Sequence, residues 1–255
     1  MEIKKVEQAI KNLIQVFFEA GRVSIQLRDK GLVEKIKKDK TPVTNGDIEV
    51  NSIILDNLKK ITPDIPIVSE ESFENKSLEL NTFWLVDPID GTYDYINNKD
   101  EFTLNAGLII NKTAVAGIIY APAKKRMFYS YGNNISYELK DNKEEILNNK
   151  SIDKNNIKAV SYSNKLSPEI LELHKKLNVK EYTKMKSSLK FCVIATGEYQ
   201  IYVAEPRAHE WDIAAGHAIL KNSGGKITDF DGNEILYGKK EFKNPSIILK
   251  SLDTL

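Results

Sequence analysis

Trp84-Leu85-Val86-Asp87-Pro88-Ile89-Asp90-Gly91-Thr92 is a short apolar run that stops at two aspartates and then turns through a glycine. Pro88 has no N–H to donate, so strand alternation breaks there. Asp87 and Asp90 can then converge on one point beyond the strand end. Two carboxylates focused on one point repel each other unless a cation neutralises them. All-oxygen ligands suit a hard cation such as magnesium. Gly91 and Thr92 would present backbone N–H groups to an anion beside that cation, as a helix N-terminus does. Cation, anion pocket and hydroxyl within so few residues point to phosphate-ester chemistry.

Upstream of this stretch the chain reads as helical. Ile3, Val6, Ile10, Leu13, Ile14, Phe17 and Phe18 recur at spacings of three and four, which predicts an amphipathic helix over residues 2–28 ended by Asp29-Lys30-Gly31. Lys35 to Lys40 is a polar, mostly basic run that reads as a solvated loop just before the candidate site. A second helix is predicted from Asp47 to Ile61, closed by Pro63 and Pro66. Ile65 to Val68 is a short strand.

Downstream, Leu104 to Ile110 and Ala114 to Tyr120 form a predicted hairpin through Asn111-Lys112, and Arg126 to Tyr131 with Ile135 to Leu139 continue a meander. Residues 140–156 are polar and rich in Asn and Lys, which marks a lobe boundary or a surface excursion. Beyond it, Ala159–Tyr162 and Gln200–Ala204 read as strands and Pro168–Leu177 and Ser188–Thr196 as helices. Asp212–Asn222 reads as a helix ended by Gly224-Gly225, and Ile247–Leu249 as a last strand. The order of helices, sheet, helix, sheet, helix predicts a layered α/β (α+β) sandwich, as one fold in two lobes, residues 1–140 and 141–255.

Bulk composition narrows the function classes. The 255 residues are 41% hydrophobic, enough for a sizeable core, and the net charge is +1, so no global field draws nucleic acid or a membrane. The single cysteine, Cys192, excludes an internal disulfide and favours an intracellular compartment. Its apolar neighbours make it a core residue. The N-terminus lacks the apolar region of a signal peptide, and no apolar run approaches the ~20 residues that span a bilayer.

Three further segments could complete a site around Asp87 and Asp90. Val68-Ser69-Glu70-Glu71-Ser72 puts two acids at a strand end, where burial is costly without a cation. Glu210-Trp211-Asp212-Ile213-Ala214-Ala215-Gly216 places an acid at a helix start, and Thr41-Pro42-Val43-Thr44-Asn45-Gly46-Asp47 places another. Taken singly, the glutamates read as solvated surface and the two aspartates as ordinary caps.

Together the four segments resemble, in order and spacing, the inositol monophosphatase and fructose-1,6-bisphosphatase superfamily of metal-dependent phosphatases. Asp87-Pro88-Ile89-Asp90-Gly91-Thr92 matches its first signature, and Trp211-Asp212-Ile213-Ala214-Ala215-Gly216 with Gly224-Gly225 its second. Tyr93-Asp94-Tyr95-Ile96, Glu101-Phe102-Thr103-Leu104-Asn105 and Ser187-Ser188-Leu189-Lys190-Phe191-Cys192 are similar to the 3'(2'),5'-bisphosphate nucleotidases of bacterial sulfate assimilation. The chain departs from that pattern twice. Lys186 stands where a glycine is usual, and Arg207-Ala208-His209 where Pro-Thr-x is common. Both changes fall on the substrate side.

The resemblance implies a five-layer αβαβα sandwich and a magnesium-dependent phosphatase acting on a small phosphorylated nucleotide, 3'-phosphoadenosine 5'-phosphate. The same metal site on inositol phosphate is the enzymatic alternative, and a scaffold that has lost turnover is the non-enzymatic one. It implies that Glu70, Asp87 and the Ile89 carbonyl hold one Mg2+, that Asp87, Asp90 and Asp212 hold a second, and that a third, weaker ion sits near Glu70. Thr92 would stand by the attacking water with Asp47 accepting its proton. Gly91 and Thr92 would hold the scissile phosphate, and Ser187, Ser188 and Lys190 a second phosphate. His209 would face the leaving group or the base, its structural alternative being a helix cap. The resemblance further implies lithium sensitivity and a cytoplasmic location, with peripheral association at the inner membrane and a homodimer left open.

Overall fold

The computed structural model describes residues 2–37, 40–73, 80–147, 153 and 155–252. The expected Lys35–Lys40 loop lies partly outside these.

The chain opens with α1 (Ile3–Lys30), whose buried stripe Val6, Ile10, Leu13, Phe17 is the one the periodicity predicts. Gly31, at φ 96°, stops it. The basic run is partly a two-stranded ribbon, β1 (Glu34–Ile36) against β2 (Pro42–Thr44). α2 (Asn45–Ile61) follows directly, capped by the Thr44 side chain. β3 (Ile67–Ser69) then leads into a single 3-10 turn at Glu70–Ser72.

β4 (Thr82–Asp90) carries the decisive stretch. Trp84 and Val86 pack with α1 and α2, while Phe83 and Leu85 pack on the other side of the sheet, so the strand is apolar without alternation. α3 (Thr92–Ile96), β5 (Thr103–Ile110), β6 (Thr113–Ala121), β7 (Arg126–Ser130), β8 (Tyr137–Lys140) and β9 (Lys143–Ile146) come next. The β5–β6 loop is the expected pair Asn111-Lys112, both at positive φ as a two-residue hairpin turn requires. β3 to β9 form one seven-stranded sheet in sequence order, antiparallel except for β3 with β4. The polar stretch beginning at residue 140 therefore continues this sheet to Ile146.

The second half holds β10 (Ile157–Ser161), α4 (Pro168–Lys176), β11 (Val179–Lys184), α5 (Leu189–Ala195), β12 (Ile201–Ala204), α6 (Glu210–Asn222), β13 (Lys226–Thr228) and β14 (Ile247–Lys250). Its sheet has the order β11-β10-β12-β14-β13. α5 and α6 lie between the two sheets, in one core with Phe83, Leu85, Ile119 and Phe128 on one side and Tyr202, Ala204 and Leu249 on the other. α4 covers the far face of the second sheet through Ile170, packed with Ile157, Ile201 and Val203. The five layers are α1/α2, seven-stranded sheet, α5/α6, five-stranded sheet, and α4.

Candidate active site

The site forms where β4 leaves its sheet. Asp87 pairs with Asn105 and Asp90 with Thr103, so β4 carries one extra residue between the two pairs. Such a bulge re-aims side chains at a strand end, and Pro88, unable to donate to the ladder, sits in it. Gly91 turns the chain at φ 94°, and a Cβ there would stand 2.9 Å from the Glu101 carbonyl, so only glycine fits. Thr92 then opens α3. Tyr95 ties that short helix to α1 by donating to the Ser24 carbonyl at 2.6 Å.

The structure gathers the acids from four separate segments. Carboxylate oxygens of Glu70, Asp87 and Asp212 lie within 4.8 Å of one another. Asp87 is 1% exposed, and its Oδ1 has no hydrogen-bond partner. Burial, then repulsion from Glu70, Asp90 and Asp212, pushes its pKa well above the usual carboxylate range. Asp212 is raised likewise by burial and by Asp90 and Glu70, against the His209 N–H that it accepts at 2.8 Å. An orphaned buried oxygen within a mutually repelling, all-oxygen donor set fits a hard divalent cation.

Asp90 lines the same cleft, outside that closest trio. Its Oδ2 accepts from both the backbone N–H and the hydroxyl of Ser188, each at 2.5 Å. The Ile89 carbonyl, expected as a ligand, accepts from the Thr92 hydroxyl at 3.2 Å. That hydroxyl also lies 3.3 Å from Asp47 Oδ1. Asp47 Oδ2 accepts from the N–H and hydroxyl of Thr44, at 2.7 and 2.6 Å, closing the α2 cap. The capping and functional readings of Asp47 thus fall on different oxygens of one carboxylate. Burial raises its pKa above the ordinary value despite the Thr44 hydrogen bonds.

Lys37, within the basic run, belongs to the site. Its ammonium bridges Glu70 at 2.8 Å and Glu71 at 2.7 Å. The pKa of Glu71 is nevertheless raised to about 7, because burial and the charge of Glu70 outweigh Lys37. A basic run placed before a paired-glutamate strand end was the available signal for this contact.

Ser187, Ser188 and Lys190 are placed differently from expectation. All three are buried and none is on the cleft wall. Ser188 supports Asp90 from behind, and its hydroxyl is also 2.6 Å from the Asp212 carbonyl. The Lys190 ammonium donates to the carbonyls of Lys186 and Ser187 at 3.0 and 2.9 Å. Burial lowers its pKa, and Asp90 and Asp212 oppose that shift. The first turn of α5 faces inward because its other residues, Leu189, Phe191 and Cys192, belong to the core. His209 does line the cleft, stacked on Trp211 with ring centroids 4.7 Å apart and planes at 10°. It also precedes α6 as the residue whose N–H Asp212 caps, so its capping and site readings coexist. Tyr93, Tyr162, Lys186 and Arg207 also line this cleft of about 1150 Å3.

Comparison with known proteins accounts for the arrangement. Residues 3–254 match the model of the inositol monophosphatase family. The chain belongs to that family. It is 35% identical to the 3'(2'),5'-bisphosphate nucleotidase CysQ of Salmonella typhimurium over 92% of this chain and 97% of the relative. It is 38% identical to the protein of the same name from Buchnera aphidicola, over 89% of this chain and 87% of the relative. The crystal structure of CysQ from Bacteroides thetaiotaomicron superposes with a TM-score of 0.79 at 29% identity, covering 96% of this chain and 97% of that one. Membership explains why the acids recur in this order. Among the described residues, no helix is long and apolar enough to cross a membrane.

Proposed function

We propose that the chain is a phosphoric monoester hydrolase, a 3'(2'),5'-bisphosphate nucleotidase that converts 3'-phosphoadenosine 5'-phosphate to AMP and phosphate in sulfate assimilation. The observation that carries the chemistry is the convergence of Glu70, Asp87 and Asp212 beside the Thr92–Asp47 pair. The relatives named as nucleotidases support the substrate class.

Glu70, Asp87, Asp90, Asp212 and the Ile89 carbonyl are the groups that would hold magnesium, as two ions with a third, weaker one at Glu70. Bound there, magnesium would polarise the scissile phosphate and lower the pKa of a nucleophilic water. The remaining work belongs to the chain. Thr92 orients the attacking water through its hydroxyl, and Asp47 Oδ1 is the acceptor that draws the threonine proton away from the nucleophile. The N–H groups of Gly91 and Thr92 hold the scissile phosphate at the start of α3. Asp90 is held in place by the two Ser188 donors. His209, fixed against Trp211, is positioned for the leaving group.

The test is phosphate release with magnesium from 3'-phosphoadenosine 5'-phosphate, inositol-1-phosphate and fructose-1,6-bisphosphate. A preference of about tenfold or more for the nucleotide, ~1.4 kcal/mol in transition-state binding, is expected. A preference for inositol-1-phosphate would overturn the substrate while leaving the phosphatase reading intact. No release from any of the three would overturn both.

A further inference from the structure

α3 has 5 residues, too few to persist by its own backbone bonds, since isolated helices shorter than ~12–15 residues are marginal in water. Its place is set by what its side chains touch. That place matters, because Thr92 is its first residue and Asp90 and Gly91 lead into it. Tyr95 fixes it to α1. The cleft side is held by charge.

Asp94 is 2% exposed. Its Oδ1 accepts from the Lys99 ammonium at 3.1 Å and pairs with the Lys186 ammonium at 3.7 Å. Lys99 follows in the same segment, and its N–H donates to the Asp94 carbonyl at 2.8 Å, so that contact is local. Lys186 belongs to the turn before α5. Its ammonium also stands 4.4 Å from the centroid of the Tyr93 ring, inside the ~6 Å reach of a cation–π contact. Two consecutive residues of α3 thus seat one cation from the second half of the chain. The backbone of that cation is fixed in turn, because its carbonyl accepts from the buried Lys190 ammonium at 3.0 Å. Two residues further on, Ser188 donates twice to Asp90 Oδ2.

These contacts close a ring. It runs from Asp90 through Ser188 and Ser187 to Lys186, and across the ion pair to Asp94. It returns to Asp90 through Gly91, whose carbonyl accepts from the Asp94 N–H at 2.8 Å. Asp90 and Thr92 both lie on this ring, which has a hydrogen-bonded clasp at Asp90 and a charged clasp at Asp94. Opening the charged clasp frees the cleft side of α3 to move about Tyr95. A misplacement of about 1 Å at a reacting group costs up to ~10²-fold in rate. Position 186 is also where the sequence departs from the nucleotidase pattern, and the glycine usual there has no side chain to reach α3.

We propose that Lys186 and Asp94 are positioning residues: their ion pair locks α3 to the turn before α5 and so holds Thr92 and Asp90 at their working separation. The inference rests on the phosphatase reading for its effect on rate. Neither residue touches substrate in this assignment.

The test compares wild type with Lys186→Met, Asp94→Asn, the double variant, Lys186→Arg and Lys99→Met. Asp94 keeps Lys99 as a partner in Lys186→Met, so that protein should fold with a melting temperature near wild type. Phosphate release from 3'-phosphoadenosine 5'-phosphate with magnesium gives kcat and KM. Hydrogen exchange read by mass spectrometry on the metal-free protein follows peptides over residues 91–98 and 210–222.

Lys186→Met is expected to lower kcat roughly tenfold at nearly constant KM. Asp94→Asn should do the same, and the double variant should lose no more than Asp94→Asn alone, because both open one clasp. Lys186→Arg should recover kcat to within about threefold of wild type, since either cation can sit on the ring and the carboxylate. Lys99→Met removes the shorter contact but not the tie to α5, and should stay within about twofold of wild type. Exchange over residues 91–98 should run roughly tenfold faster in Lys186→Met, with residues 210–222 unchanged. A Lys186→Met protein with wild-type exchange over residues 91–98 overturns the tie, whatever its rate. So does a Lys186→Met enzyme whose KM rises at constant kcat, since Lys186 is then a substrate contact. A Lys99→Met enzyme that loses as much rate as Lys186→Met also overturns it. A wild type that releases no phosphate overturns the phosphatase reading, while the exchange data still judge the tie.

Discussion

The Thr92 hydroxyl lies 3.3 Å from Asp47 Oδ1, while Oδ2 of the same carboxylate closes the cap of α2. The two halves of the site are joined through this one side chain. Asp47 is fixed by the helix it caps, and in fixing it the helix aims the second oxygen at the first residue of α3.

The pair predicts a separation of chemistry from stability. Thr92→Ala should lower kcat by roughly 10²- to 10⁴-fold, the usual worth of a positioned proton-transfer group, with a melting temperature close to wild type. Thr92→Ser should restore most of the rate. Asp47→Ala should lose the rate and also about 1 kcal/mol of stability, because the cap goes with it. A Thr92→Ala enzyme within a few-fold of wild type in steady-state assays would remove the pair from the mechanism.

Metal removal should have a pH signature. Glu71 is raised to about 7 from 4.5, and Asp87 and Asp212 are raised as well. An acid whose pKa is higher in the folded state binds more protons folded than unfolded. Its contribution to stability is complete below the unfolded pKa and is lost as pH rises through the folded one. The chelator-treated protein should therefore melt at progressively lower temperature from about pH 4.5 to above pH 7. Magnesium at millimolar concentration should raise the melting temperature more at pH 8 than at pH 5.5. Equal shifts at both pH values, read by differential scanning fluorimetry, would mean that the cation does not bind at these acids.

Asp87→Asn isolates the repulsion. The substitution keeps the shape of a side chain that is 1% exposed and removes its charge from among Glu70, Asp90 and Asp212. The metal-free variant should melt above the metal-free wild type, at about 2–4 °C per kcal/mol of relieved repulsion. It should show little magnesium-induced shift and no turnover. A metal-free melting temperature below wild type would indicate that a hydrogen bond, rather than charge, governs the site.

The sequence made the centre of the site legible because each of its acids lies at an element boundary with its own signature. Asp87 and Asp90 follow an apolar run, Glu70 follows β3, and Asp47 and Asp212 sit in the first turns of α2 and α6. Buried strands and long helices were legible for a related reason, since burial forces apolar residues into runs or periods. The strands β1, β9 and β11 were not. β1 and β9 are exposed throughout and β11 nearly so, so they carry no hydrophobic pattern and exist through pairing with a neighbour. Ser187, Ser188 and Lys190 were legible as a motif, but their burial behind the cleft wall was not. A motif fixes residue types, whereas the direction of a side chain depends on which face of a helix the core claims. The burial of Lys190 is supported by Asp90 and Asp212, charges far away in sequence.

Two glycines separate the placement of α6 from its stability. A Cβ at Gly107 would stand 2.7 Å from Ala214 Cβ and from the Ala215 nitrogen, so α6 rests directly on β5, and Asp212 is in its first turn. At the other end of α6, Gly224 has open space around it but adopts φ 94°. Gly107→Ala must push the helix off the sheet, an overpacking cost of about 1–3 kcal/mol. Gly224→Ala forces an L residue into the left-handed region at about 1–2 kcal/mol and moves nothing near the carboxylates. Both variants should therefore melt earlier by comparable amounts. Only Gly107→Ala should need more magnesium for half-maximal rate, because it shifts Asp212 relative to Asp87 and Glu70. An unchanged magnesium requirement in a destabilised Gly107→Ala protein would show that the helix relaxes along its axis without moving its N-terminal turn.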